Sequence, residues 1–313
     1  MNVEQTTTWL GPFFALLSSL TWAIGSSVYA RQAGRVGALE VNLTRALCAT
    51  PMFLVSALVF FGPGSLFTIP ARQVGWLSLS VACSYVVGDT LFYLAALRLG
   101  TPTALAIASS YPVWSALFGA LFLHETLGAL RMVGTLLCVA GIIWLVLLQT
   151  RNEASTASER AVFPTTRSTK ILGVVLALLT SLCWAGNTYS LRQGGENLPL
   201  FVVNSYRYLL ASLVLGVAWL KTHKYRPVGG QLLRSPKALL GFLPAVLLEA
   251  FFGSSIFVYA ITHTDLSISA PLTSLAPLFS VPIGVLLKTE PLCARRLAAI
   301  VLTVGGIVCL VMG

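Results

Sequence analysis

The chain has 313 residues, 56% of them hydrophobic and only 10% charged, with a formal net charge of +10. Soluble domains are about a quarter charged, so the composition excludes an ordinary soluble protein and points to a polytopic membrane protein. The excess of bases does not indicate nucleic-acid binding, because the bases fall in short segments between apolar stretches, where they set topology.

A helix needs about 20 residues to cross roughly 30 Å of hydrocarbon, and backbone in lipid must satisfy its own hydrogen bonds. About ten stretches meet or approach that length: 9–29, 41–61, 74–97, 102–123, 130–148, 171–191, 199–220, 238–261, 266–287 and 297–312. The first lacks the positive leading region of a signal peptide, with Glu4 the one charge before it. It also has an internal counterpart, so it is expected to be a span.

That counterpart belongs to a duplication. LSSLTW at 17–22 matches LTSLCW at 179–184, and Asn42 and Arg45 match Asn204 and Arg207. Gly88 matches Gly253, Arg131 matches Arg296, and GIIWLV at 141–146 matches GIVCLV at 306–311. Pro112 and Glu125 return as Pro277 and Glu290, each 165 positions on. The order is constant, so residues 1–150 and 171–313 are two repeats joined by a polar linker, 151–170. Each repeat holds five spans. Five is odd, so the repeats are expected to insert in opposite orientations, the architecture of many secondary transporters. The fold class expected is an all-α polytopic membrane protein of ten transmembrane helices in two inverted five-helix repeats. Counted over loops, fifteen Lys and Arg lie on the linker's side and three on the side of the termini. The positive-inside rule then puts the linker in the cytoplasm and both termini outside.

Several residues are candidates for chemistry. Asp89 and Glu249 fall near the middle of spans three and eight. An ionised acid there costs on the order of 3 kcal/mol or more and needs a partner, a wet cavity or a proton. Each is a proton carrier or an anchor for a substrate amine; the alternative is a structural pair with a nearby Arg. Arg45 and Arg207 either snorkel or pair structurally, or meet a substrate carboxylate or phosphate with their fork of donors. Trp22, Tyr93, Tyr111 and Tyr259 are candidate cavity aromatics, against packing or an interfacial belt. Asn187 is placed to hydrogen-bond substrate or a neighbouring helix. Pro112 and Pro277 sit inside apolar stretches, where a proline frees a carbonyl and permits a kink, hence a hinge. Glu125 and Glu290 end spans four and nine, six residues before Arg131 and Arg296. An interfacial ion pair or a gate of alternately broken salt bridges is expected there. Gly134 and Gly141, seven apart, mark either a dimer seam or internal packing, so the chain is read as a monomer or a homodimer.

Ten spans in two repeats, the LSSLTW-type first helix, an Arg near the start of spans two and seven, and SYPVWSALFGALFLHETL at 110–127 resemble the drug/metabolite transporter superfamily, in its EamA-like family. The resemblance covers nearly all of both halves. It implies export or exchange of small metabolites, often amino acids or related compounds, by alternating access without ATP. It implies a central cavity lined by spans one, three, four, six, eight and nine. It also implies cytoplasmic termini, opposite to the loop-charge count. Where the family has Gly-Glu at the end of span four, this chain has His124-Glu125, and Thr289-Glu290 in the second copy.

Enzyme chemistry finds no support. His124-Glu125 begins like HExxH, but Gly128 stands where the second His belongs. There is no P-loop, no metal motif and no sign of a cofactor. The expected function is a secondary active transporter of a small-molecule substrate in the inner membrane, in contact with lipid, with protons as the candidate coupling ion. A flippase for a lipid-like substrate, a channel, or a non-transporting membrane scaffold are the rival readings.

Overall fold

A computed structural model describes residues 3–99, 101–153, 167–223, 235–279 and 294–313, and they are almost entirely helical. The first half comprises α1 (Val3–Val36), α2 (Ala38–Phe61), α3 (Ala71–Val81), α4 (Val87–Leu99), α5 (Thr101–Ala108), α6 (Tyr111–Phe122) and α7 (Ala129–Glu153). The second comprises α8 (Arg167–Gly195), α9 (Leu200–His223), α10 (Pro236–Ala245), α11 (Ser254–His263), α12 (Leu266–Thr273) and α13 (Ala294–Met312). Eight helical stretches among the described residues are long and apolar enough to cross a membrane. The other two expected spans correspond to the shorter apolar stretches Trp9–Gly25 and Leu266–Phe279, the second of which runs up to the edge of the described residues.

Packing follows the duplication. The second span of each half packs on its mate, α2 on α9, and so does the last, α7 on α13. The first span of each half instead packs on the third span of the other: α8 on α3 and α4, and α1 on α11. Gly134 and Gly141 belong to the α7–α13 contact, where a Cβ at either would press into Gly306, Leu310 or Thr303. Their small size therefore serves internal packing.

Two features depart from straight spans. A π-helical turn at Ala82–Val86 joins α3 to α4, and another at Val246–Gly253 joins α10 to α11. Their positions correspond in the two repeats. A π turn inserts a residue into the helical ladder and re-aims the side chains around it, which is why such turns gather at functional sites.

The second departure corrects the expected proline kinks. α5 ends at Ala108, the chain turns over Ser109 and Ser110, and α6 starts at Tyr111 with Pro112 in its first turn. In the second half α12 ends at Thr273, and helix resumes at Ala276 with Pro277 next. Proline has no N–H and clashes with the turn before it, yet it fits a first helical turn without loss. Each stretch is therefore two helical segments with an interruption ahead of the proline, not one bent helix.

Candidate functional site

Arg45 stands about two turns inside α2, which starts at Ala38 after Gly37, a glycine at φ 93. It is 5% exposed, and Glu249 is 6% exposed. The guanidinium lies 3.7 Å from the Glu249 carboxylate. Three rings surround it, with centroids 5.8 Å away for Trp22, 5.5 Å for Tyr29 and 5.3 Å for Tyr85. A cation over ring faces is attracted by their quadrupoles, more strongly when desolvated. Glu249 and Tyr85 are carried by the two π turns. Gly25 makes room for the acid, because a Cβ there would collide with the Glu249 side chain. The Tyr29 hydroxyl donates to the Ala245 carbonyl at 3.0 Å and lies beside the carboxylate.

Asp89 is half-buried on α4, close enough for the charge of Arg45 to act on it. The indole N–H of Trp184 donates to it at 3.4 Å. Trp184 also meets Tyr111 edge-on at 6.1 Å, and the Tyr111 hydroxyl reaches Thr273 and the Ala270 carbonyl, each at 3.2 Å. Both interrupted stretches thus border the same interior.

A second polar cluster surrounds Arg207. Its Nη2 donates to the Asn187 side-chain oxygen at 3.2 Å, and Ser80 donates to the same oxygen at 2.7 Å. The structure therefore gathers Arg45, Glu249, Trp22 and Asp89, and separately joins Arg207 with Asn187. Tyr259 belongs to neither. It stacks on His263 at 4.2 Å, meets Phe14 edge-on at 5.0 Å and lines a separate apolar cleft. The side chain of Tyr93 and the whole of Glu290 lie outside the described residues. Sequence reasoning missed Tyr29 and Tyr85, although their spacings, seven from Trp22 and four from Asp89, put each pair on one helix face.

A model of the EamA-like transporter family matches residues 9–147 and again 171–312. The chain belongs to that family. An uncharacterized transporter of Archaeoglobus fulgidus is 23% identical to this EamA-like transporter over 299 residues, covering 95% of this chain and 96% of the relative. The crystal structure of another protein superposes with a TM-score of 0.75 at 17% identity, covering 98% of each chain. That likeness concerns the fold. Family and apolar helices together make this a multi-pass membrane protein.

At one end of the bundle the EamA-like transporter places a set of contacts that corrects the expected pairing of Glu125 with Arg131. The Glu125 carboxylate accepts the backbone N–H groups of Leu266 at 2.7 Å and Ser267 at 3.1 Å, the first residues of α12. Arg131 instead pairs with Asp265 at 2.8 Å. The reason is the helix end. The first N–H groups of α12 have no intrahelical acceptor, and a carboxylate satisfies them while complementing the helix dipole. Burial, opposed by those two bonds, holds the Glu125 carboxyl above the ordinary carboxylate range. His124 has φ 55, in the left-handed region that glycine favours. The turn that aims Glu125 at α12 thus demands the conformation of the family's glycine, and a histidine adopts it here. Arg192 adds bonds to the Ile261 and Thr264 carbonyls at 3.0 and 3.2 Å. These groups border a polar cleft of about 430 Å³.

Proposed function

We propose that this EamA-like transporter is a secondary active carrier of small metabolites, amino acids or related compounds among them, which works by alternating access as an exporter or exchanger. It has ten spans in two inverted repeats, 1–150 and 171–313, joined by a linker at 151–170. The direction of the halves supports the inversion. A Cβ on Gly11 would strike Thr264, and one on Gly313 would press on Leu130 and Arg131, so the chain starts and ends near the Glu125 end of the bundle. Gly173, at the start of the second half, instead abuts Arg98 and Leu99, the far end of the third span.

One observation carries the functional reading: Asp89 is joined through Trp184 and Tyr111 to both repeat-related interrupted stretches, with the charge of the buried Arg45–Glu249 pair acting on it. Charges buried at that depth are expensive and characteristically mark substrate or ion paths, and interrupted helices at matching positions of two repeats border such paths. Asp89 and Glu249 are the groups assigned to proton coupling or to a substrate amine. Trp22, Arg45 and Tyr111 complete the wall, and the interruptions before Pro112 and Pro277 act as hinges.

The test is counterflow. The purified protein in vesicles, loaded with unlabelled amino acids or amines, should take up the labelled compound saturably. Uptake should depend on pH, and Asp89→Asn and Glu249→Gln should lower it at least tenfold or abolish the pH dependence. Flux that survives in both variants with its pH dependence intact would overturn the assignment of the two acids. Flux that never saturates indicates a channel. The apolar cleft of about 220 Å³ beside Phe14, Phe201, Phe252 and Tyr259 favours a second reading, a lipid-like substrate entering from the side. Transfer of a fluorescent lipid between leaflets, without amino-acid counterflow, would select it.

A further inference from the structure

The two repeats place equivalent arginines at equivalent depths but surround them differently. Arg45 is seven residues into α2 and Arg207 seven residues into α9, each about 10 Å along its helix. Arg207 is 3% exposed, as deeply buried as its mate. Arginine cannot shed its proton in a protein, so the charge stays, and an isolated ion in a low-dielectric interior costs several kcal/mol even after relaxation. Arg45 meets this with the Glu249 carboxylate and three rings.

Arg207 has no such partner among the described residues. The position equivalent to Glu249 is Ser84, and the position equivalent to Gly25 is Asn187. Among the described residues no carboxylate lies within ion-pair distance of Arg207. Among the described residues its one side-chain acceptor is the neutral oxygen of Asn187, which already accepts a hydrogen bond from Ser80, and its Nε, like that of Arg45, has no acceptor. Nearby, the Oδ1 of Asn204, three residues before Arg207 on the same helix, is also unsatisfied. Among the described residues the first repeat carries its counter-anion and the second shows none.

We propose that the missing anion is supplied by the substrate: Arg207, with Asn187 and Ser80, is the site for a carboxylate, so that the substrates are carboxylate-bearing metabolites. This rests on the transporter reading and narrows it. A carboxylate is the right shape, because its two oxygens match the fork of guanidinium donors and add charge-assisted bonds. The Asn187 amide N–H group supplies a neutral donor beside it, and the Ser80 hydroxyl, donating to the Asn187 oxygen, holds that amide in place. In the first repeat Glu249 occupies the equivalent place and supplies the counter-charge within the chain, which leaves the aromatic wall there for other parts of the substrate.

The experiment is a thermal-shift titration of the full-length purified protein with amino acids and simple mono- and dicarboxylates, each against its carboxamide and against chloride. At least one carboxylate should raise the melting temperature by roughly 5 °C at a hundredfold excess over Kd, by mass action, and its carboxamide should not. Arg207→Gln should weaken that carboxylate by about tenfold to a hundredfold, the value of a lost charge-assisted bond. Asn187→Asp is isosteric and puts a fixed carboxylate against Arg207. It should raise the melting temperature without ligand and weaken the carboxylate at least tenfold. Arg72→Gln, at an exposed position, is the control and should bind as the wild type does. No shift with any carboxylate, a shift with chloride alone, or wild-type affinity in Asn187→Asp each overturns the proposal. Saturable counterflow of a substrate without a carboxylate, unchanged in Arg207→Gln, would overturn it while leaving the transporter reading intact.

Discussion

At the residue scale, a buried ion pair behaves differently when halved than when removed. Glu249 offsets the charge of Arg45 at a place where both side chains are more than nine-tenths buried. Taking the acid away leaves the guanidinium desolvated, a loss of about 3–5 kcal/mol for pairs of this kind, whereas apolar replacement of both partners is often close to neutral. The rings of Trp22, Tyr29 and Tyr85 offset part of the loss in the single variant. Glu249→Gln is therefore expected to unfold well below the wild type in detergent, and the double variant Arg45→Leu with Glu249→Leu closer to it. A double variant at least as unstable as the single one would show that the pair is not what holds these helices together. The sequence made Glu249 conspicuous by its depth and Arg45 by its repeat, but it gave no sign that they meet. That contact depends on Gly25, an unremarkable glycine whose missing Cβ lets α1 approach the acid.

At the element scale, the ends of helices were harder to read than their bodies. Apolar length located the spans, and the 165-residue offset located the prolines. The interruptions one turn ahead of them were not visible, because Ser109-Ser110 and Ser274-Leu275 are compatible with helix. The π turns were equally hidden, since one inserted residue leaves the composition of a span unchanged. Glu125 was legible as an acid at a helix end, but the nearest basic residue in sequence, Arg131, was the wrong partner. The backbone N–H groups of α12 have no sequence signature beyond Asp265 preceding an apolar run. The capping contact makes two expectations. Glu125→Ala should cost about 1–2 kcal/mol, as for the loss of a helix cap, read as a lower melting temperature. The pH dependence follows from the raised carboxyl. The folded state binds the proton more tightly than the unfolded chain, so this group's contribution to stability is full below the ordinary glutamate pKa. It is lost as pH rises through the raised value. Glu125→Gln cannot titrate and should flatten that part of the stability profile. A wild-type profile parallel to that of Glu125→Gln across this window would contradict the assignment.

At the scale of the whole molecule, the duplication was the most informative feature of the sequence, and it explains which helices pair. A two-fold arrangement of two repeats brings repeat mates together on its axis, and α2 with α9 and α7 with α13 do meet in this way. The matched GIIWLV and GIVCLV stretches lie in the second of these contacts, and the family model covers both halves. What the repeat could not reveal is how far the halves have diverged. The first buries an Arg with an acid, the second an Arg with an amide, and only the side chains opposite each arginine separate the two cases. The seam between α7 and α13 is the most extensive contact between the halves, and adjacent glycines on it offer a controlled comparison. A Cβ on Gly306 would come within 2.7 Å of the Cys138 backbone nitrogen and 2.8 Å of the Gly134 carbonyl oxygen, while a Cβ on Gly305 would meet nothing within 4 Å. Backbone atoms cannot swing aside as a side chain can, so Gly306→Ala should force the helices apart and cost about 1–3 kcal/mol, as overpacking does. Gly305→Ala removes a flexible residue from a helix interior at no steric cost and should gain up to about 1 kcal/mol. Melting temperatures of the two variants should therefore move in opposite directions from that of the wild type. Equal shifts would mean that α7 and α13 are not held at this distance, and that the two halves are joined elsewhere.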